Sequence, residues 1–219
     1  MKINVNNVEI YYKNAGLGQP VILLHGNGEN GEIFNDLTNM LSKNYSVYVV
    51  DTRGHGKSQK VKRLHYFDMA KDIKEFIEKL DLKKPILYGF SDGGIIGLIL
   101  AVKYPELLSK LIISGVNTTP KSIKPFIRFL FRLNYFFTRN DKTKLMLKEP
   151  DLKYEELRII TIPVLALAGQ HDIVKESDTR QIAAHIKNST LKILENENHS
   201  SYVLDNFKLY KILEPFLVK

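Results

Sequence analysis

At 219 residues, 44% of them hydrophobic, the chain can bury one sizeable core and reads as a single domain over 1–219. It has no cysteine, so disulfide staples, thiolate nucleophiles and thiolate metal ligands are excluded. The net charge of +8 comes largely from lysines interleaved with acids, as in Lys71-Asp72-Ile73-Lys74-Glu75, and lacks the basic stripe of a nucleic-acid module.

The N-terminal residues M-K-I-N-V-N-N-V-E-I-Y-Y lack the apolar run of a secretory leader. No stretch approaches the roughly 18 apolar residues of a spanning helix, so the expected location is cytoplasmic. Ile3 to Tyr12 alternate around Asn6-Asn7, which predicts a β-hairpin at a sheet edge. Short apolar runs follow at 21–24, 46–50, 85–90, 111–115, 163–168 and 191–194, of the kind that form strands buried on both faces. Between them, Phe67, Ala70, Ile73, Phe76, Ile77 and Leu80 recur at helical spacing over 66–80, and 95–104 and 177–187 read likewise. Alternating strands and helices imply a mainly parallel sheet, with sites at the carboxyl ends of the strands.

Between Val116 and about Ile160 the alternation breaks, which predicts a cap inserted over 116–160. This stretch is dense in aromatics, and from Lys121 to Lys148 eight basic residues face only Asp141.

The run P-I-L-Y-G-F leads directly into Ser91, giving G-F-S-D-G-G at 89–94 ahead of the helix expected from Ile95. A serine in a strained strand-to-helix turn needs small neighbours two residues either side, and Gly89 and Gly93 supply them. The simpler alternative is that Ser91-Asp92 only caps the helix. Serine at its free pKa is a poor nucleophile and needs a base, itself held in one tautomer by an acid. His199, in N-H-S-S after the last strand, is last in the order serine, acid, histidine. His65 and His185 sit in polar helical surroundings, and His171 points away from a partner on another loop.

Four strand-end segments together, H-G-N-G at 25–28, D-T-R-G-H-G-K-S at 51–58, G-F-S-D-G at 89–93 and A-G-Q-H-D at 168–172, resemble the α/β-hydrolase superfamily, in particular its serine carboxylesterase-like members. The loop N-H-S-S resembles that family's catalytic-histidine loop. The resemblance implies an α/β-hydrolase fold: a mostly parallel central sheet flanked by helices, with a short helical cap. It implies Ser91 as nucleophile, His199 as base and Asp172 as orienting acid, with Glu195 or Glu197 as alternative acids. Asn27 stands where the family has its second oxyanion amide, so the backbone N–H groups of Asn27 and Asp92 are the expected oxyanion donors. Asp51, Arg53 and His55 are expected to shape a loop beside the site.

The implied activity is hydrolysis of small to medium carboxylic esters or thioesters through an acyl-enzyme, with no metal or organic cofactor. Amide, lactone or carbon–carbon bond hydrolysis and perhydrolysis remain open to the same residues, as does a non-catalytic ligand receptor. Serine at the elbow and the absence of tryptophan argue against dehalogenase and epoxide hydrolase chemistry. The expected partner is a small ester-like molecule. Candidate substrate contacts are Phe126 and Phe129, as an apolar roof or merely as cap packing, and the Asp92 carboxylate, for a substrate ammonium group. Contact of the basic cap with anionic lipid is set aside, and oligomeric state is not read.

Overall fold

The protein is described by a computed structural model covering residues 1–218. Its elements are, in order, β1 (Lys2–Val5), β2 (Val8–Ala15), β3 (Gln19–Leu24), α1 (Asn35–Leu41), β4 (Tyr45–Val50) and α2 (Tyr66–Lys79). Next come β5 (Ile86–Phe90), α3 (Asp92–Lys103), β6 (Lys110–Ser114), α4 (Pro125–Thr138), α5 (Asp141–Lys148) and β7 (Val164–His171). The chain continues with α6 (Glu176–His185), β8 (Ser189–Asn198), α7 (Ser201–Leu204) and α8 (Asn206–Leu217).

The strands form one sheet in the order β1-β2-β4-β3-β5-β6-β7-β8. All neighbours from β4 to β8 are parallel, and the β1–β2 hairpin adds an antiparallel edge. Asn6 and Asn7 make its two-residue turn with φ of 43° and 61°, left-handed values that asparagine tolerates better than most side chains.

Period-2 alternation explains why the central strands are apolar throughout. Ile22 and Leu24 of β3 join the core on one face of the sheet, while Val21 and Leu23 join the core on the other. α2, α3 and α6 contribute to the first core, and α1, α7 and α8 to the second.

Three expectations change. α3 starts at Asp92, directly after Ser91, instead of at Ile95, because Gly93 and Gly94 belong to its first turn. Phe67, read as part of the buried stripe, is exposed under Lys71, whereas Tyr66 and Met69 are buried. The helices α1 and α8, which pack on each other, are not expected from the sequence pattern.

Candidate active site

Ser91 joins β5 to α3 with φ 50° and ψ −112°, a conformation costly for any side chain and sustained only where the surroundings over-determine it. They do so here. The Ser91 N–H donates to the Ser114 carbonyl of neighbouring β6 at 2.8 Å. A Cβ on Gly89 would come within 2.3 Å of the Gly93 backbone, and one on Gly93 within 2.3 Å of the Leu24 carbonyl oxygen. The G-x-S-x-G spacing therefore reflects backbone passing over backbone.

The loops after β7 and β8 bring Asp172 and His199 to this turn. Asp172 is buried, and its Oδ1 accepts from the Val174 N–H at 2.9 Å and from His199 Nδ1 at 2.7 Å. With Nδ1 donating to a carboxylate, Nε2 is left as an acceptor, and it lies 3.2 Å from Ser91 Oγ. Phe90 packs against the imidazole with ring centroids 5.0 Å apart. Glu197, an alternative acid, is engaged with Ser201 and Lys208 instead. His171 is exposed at the end of β7.

The H-G-N-G loop follows β3. His25 is buried: it accepts from the Thr52 N–H at 3.1 Å through Nε2, so Nδ1 carries the proton that bonds the Gly26 carbonyl at 2.8 Å. Burial lowers its pKa, consistent with a neutral ring that ties this loop to the one after β4. Among the described residues, the backbone N–H groups of Asn27 and Asp92 have no protein acceptor. That leaves both free for an oxygen beside Ser91.

Asp92 is itself buried, with Tyr66 Oη donating to Oδ1 at 2.6 Å and Asn27 Nδ2 donating to Oδ2 at 2.8 Å. Desolvation pushes its carboxyl up to about 6, against the pull of those two donors. Asn27 Nδ2 also donates to the Lys142 carbonyl at 3.2 Å, so α5 touches the loop. Phe126 and Phe129 instead stand 69% and 58% exposed on α4.

The D-T-R-G-H-G-K-S loop is held from within. Asp51 accepts from the Gly31 and Lys57 N–H groups, both at 2.8 Å, and Arg53 forms a buried ion pair with Asp72 of α2. His55 is fully buried, and desolvation lowers its pKa to about 3. Among the described residues no group of three or more His, Asp or Glu side chains could hold a metal ion.

Three neighbours of the site were not singled out from sequence. Gly115, at φ 63°, leaves room for the histidine: a Cβ there would lie 2.7 Å from His199 Cε1 and 2.8 Å from Nδ1. Glu29 accepts from the Gly26 N–H at 2.9 Å, and burial raises its pKa. Tyr66 reaches Asp92 from α2. Only the glycine ending a strand carries any sequence signal, since the other two depend on elements meeting in space.

The chain matches the family model for the alpha/beta hydrolase fold over residues 19–147. It is 28% identical to a serine hydrolase, BPHL, of Homo sapiens, across 99% of this chain and 85% of that protein. An esterase from Exiguobacterium antarcticum superposes with a TM-score of 0.83 at 24% identity, covering 100% of this chain and 99% of that one. The enol-lactonase from Burkholderia xenovorans gives a TM-score of 0.83 at 18% identity, covering 100% of both chains. The match to the family spans more than half of the sequence and includes the strand, loop and elbow that carry Asn27 and Ser91, and the chain belongs to the alpha/beta hydrolase fold family.

Proposed function

We propose that this protein is a serine hydrolase that cleaves small to medium carboxylic esters or thioesters. One observation carries the reading: the hydroxyl of a half-buried serine in a strained turn lies 3.2 Å from an imidazole nitrogen whose other nitrogen is held at 2.7 Å by a buried carboxylate. Ser91 Oγ attacks the acyl carbon while His199 Nε2 takes its proton. Asp172 fixes the tautomer and stabilises the imidazolium. The oxyanion is held by the N–H groups of Asn27 and Asp92, the latter at the N-terminus of α3, whose dipole favours negative charge. The intermediate collapses, and the leaving alkoxide or thiolate takes the proton from His199. Water, deprotonated by the same nitrogen, then releases the acid and restores Ser91.

In this reading the chain is one hydrolase domain, and residues 116–160 form its cap, with α5 at the edge of the oxyanion loop. The test is turnover of p-nitrophenyl esters of increasing acyl length by wild type and Ser91→Ala. Turnover confined to the wild type is expected, and equal turnover by both would overturn the assignment.

A second reading of substrate rests on Asp92. Its buried carboxylate adjoins the nucleophile, is hydrogen-bonded only by neutral donors and makes no ion pair among the described residues. That environment suits a substrate ammonium group, as in an amino-acid ester. Asp92→Asn should then lower turnover of amino-acid esters relative to simple esters, and an unchanged ratio would leave Asp92 as support for the elbow alone.

A further inference from the structure

α4 has no buried residue, which is unusual for a 14-residue helix in a folded domain. Its half-buried positions are Ile127, Arg128, Phe131 and Tyr135, with the apolar three recurring every fourth residue on the side turned to the rest of the protein. Phe126, Phe129, Leu130, Leu133, Phe136 and Phe137 are all exposed, the four phenylalanines by 58% to 74%. At about 100° per residue these six fall on one arc of roughly 120°. Contiguous apolar surface of this kind marks an interaction site.

The neighbouring arc carries Arg128 and Arg132, and Arg139, just past the end of α4, lies over the Tyr135 and Phe136 rings. No acid occurs between Val116 and Asn140, and among the described residues none of these arginines, nor Lys121 or Lys124, makes an ion pair. Beside the arginine arc lies a surface cavity of about 510 Å³ lined by Lys121, Arg128, Arg132 and Lys148 among others. Its single acid, Asp151, is already paired with Lys153.

The occupant must therefore offer apolar depth and negative charge side by side. A second copy of this chain does not fit, because an antiparallel contact through α4 would set the arginines of one copy against those of the other, each copy carrying a net charge of +8. An anionic bilayer does fit: acyl chains receive the phenylalanine face, and headgroup phosphates meet the arginines. The basic residues concentrated between Lys121 and Lys148 in the sequence include four, Lys121, Arg128, Arg132 and Lys148, that the fold sets around one cavity beside α4. No described helix is long and apolar enough to cross a membrane, so the geometry is that of a helix lying on the surface.

We propose that α4 docks on anionic phospholipid membranes, with Phe129, Leu133, Phe136 and Phe137 entering the headgroup–acyl boundary and a lipid phosphate seated against Arg128, Arg132 and Lys148. The test is co-sedimentation of the full chain with vesicles of phosphatidylcholine, with and without phosphatidylglycerol, at low and high salt. Binding is expected only with phosphatidylglycerol and weakens with salt. Two double variants at exposed positions, Phe136→Ser with Phe137→Ser and Arg132→Glu with Lys148→Glu, should each lower vesicle partitioning by roughly tenfold or more, with thermal melting unchanged. The proposal is overturned if anionic vesicles are not bound at low salt, or if neither variant weakens binding. It is also overturned if the cavity takes inorganic phosphate while the chain ignores vesicles. Sedimentation velocity covers the remaining occupant: a dimer abolished by the phenylalanine variant, without vesicle binding, would assign the face to a second copy. None of these readouts depends on turnover, so the result stands apart from the fate of the hydrolase assignment.

Discussion

The loops at the strand ends and the segment between β6 and β7 solve opposite problems. Around Ser91 buried polar groups are bonded across elements: Asp51 holds two backbone N–H groups, His25 spans two loops, and Asp92 takes two donors. Along α4 the apolar groups are bare and the cations unpaired. A buried hydrogen-bonded network holds its atoms closely in place, which is what the proposed proton transfer between Ser91 and His199 would require. An element whose side chains are at most half-buried can meet a partner without disturbing that geometry, so the proposed chemistry and the proposed docking would sit in separate parts of one fold.

Substitutions on the two sides should differ sharply. The largest effect belongs to Ser91→Ala, expected to reduce ester turnover by at least about 10⁴-fold with melting temperature nearly unchanged, as read by steady-state kinetics alongside circular dichroism. Next is Asp72→Ala. It leaves Arg53, which is nine-tenths buried, with only the more distant Asp68 carboxylate at 3.9 Å, and should cost about 3 kcal/mol in urea unfolding; a loss under about 1 kcal/mol would mean that Asp68 or water takes over the pairing.

Gly115→Ala tests the space left for the imidazole. Its Cβ must displace His199, so kcat should fall by about 10²-fold while KM moves little. Unchanged kcat would show that the histidine does not need its present position.

A smaller effect follows from Asp92. Its native carboxyl, pushed up to about 6 by burial, holds a proton more tightly than the unfolded one, near 3.9. Its contribution to stability therefore rises as pH falls through about 6 and is complete below the ordinary carboxylate range. Between pH 7.5 and 5, wild type should gain about 1 kcal/mol relative to Asp92→Asn in paired unfolding titrations. Parallel pH profiles would place the carboxylate in a more polar setting. The smallest effect is expected on the other side of the comparison, where Leu133→Ser should shift stability by no more than about 0.5 kcal/mol.

Much of the architecture is legible in the sequence because its physical causes are local. Period-2 apolar runs mark strands buried on both faces, and glycines at 89 and 93 mark a turn where backbones cross. Phe67 shows the limit of such reading. Its spacing fits the apolar stripe of α2, yet the stripe is rotated toward Tyr66, whose hydroxyl finds Asp92 in another element. α8 escaped notice for a related reason, since its packing partner, α1, lies more than 160 residues away in the chain.

Ser91 and His199 could be singled out from motif and order, and the α/β class followed from the alternation of strands and helices. Asp172 is the acid expected from its strand-end loop, with Glu195 and Glu197 open as alternatives; the fold brings Asp172 Oδ1 to 2.7 Å from His199 Nδ1 and leaves Glu197 on Ser201 and Lys208, because strand order sets which loops meet. The tertiary structure alone decided that the phenylalanines of α4 face outward. A helical pattern gives the width of an apolar face, but whether that face is covered depends on which elements fold against it.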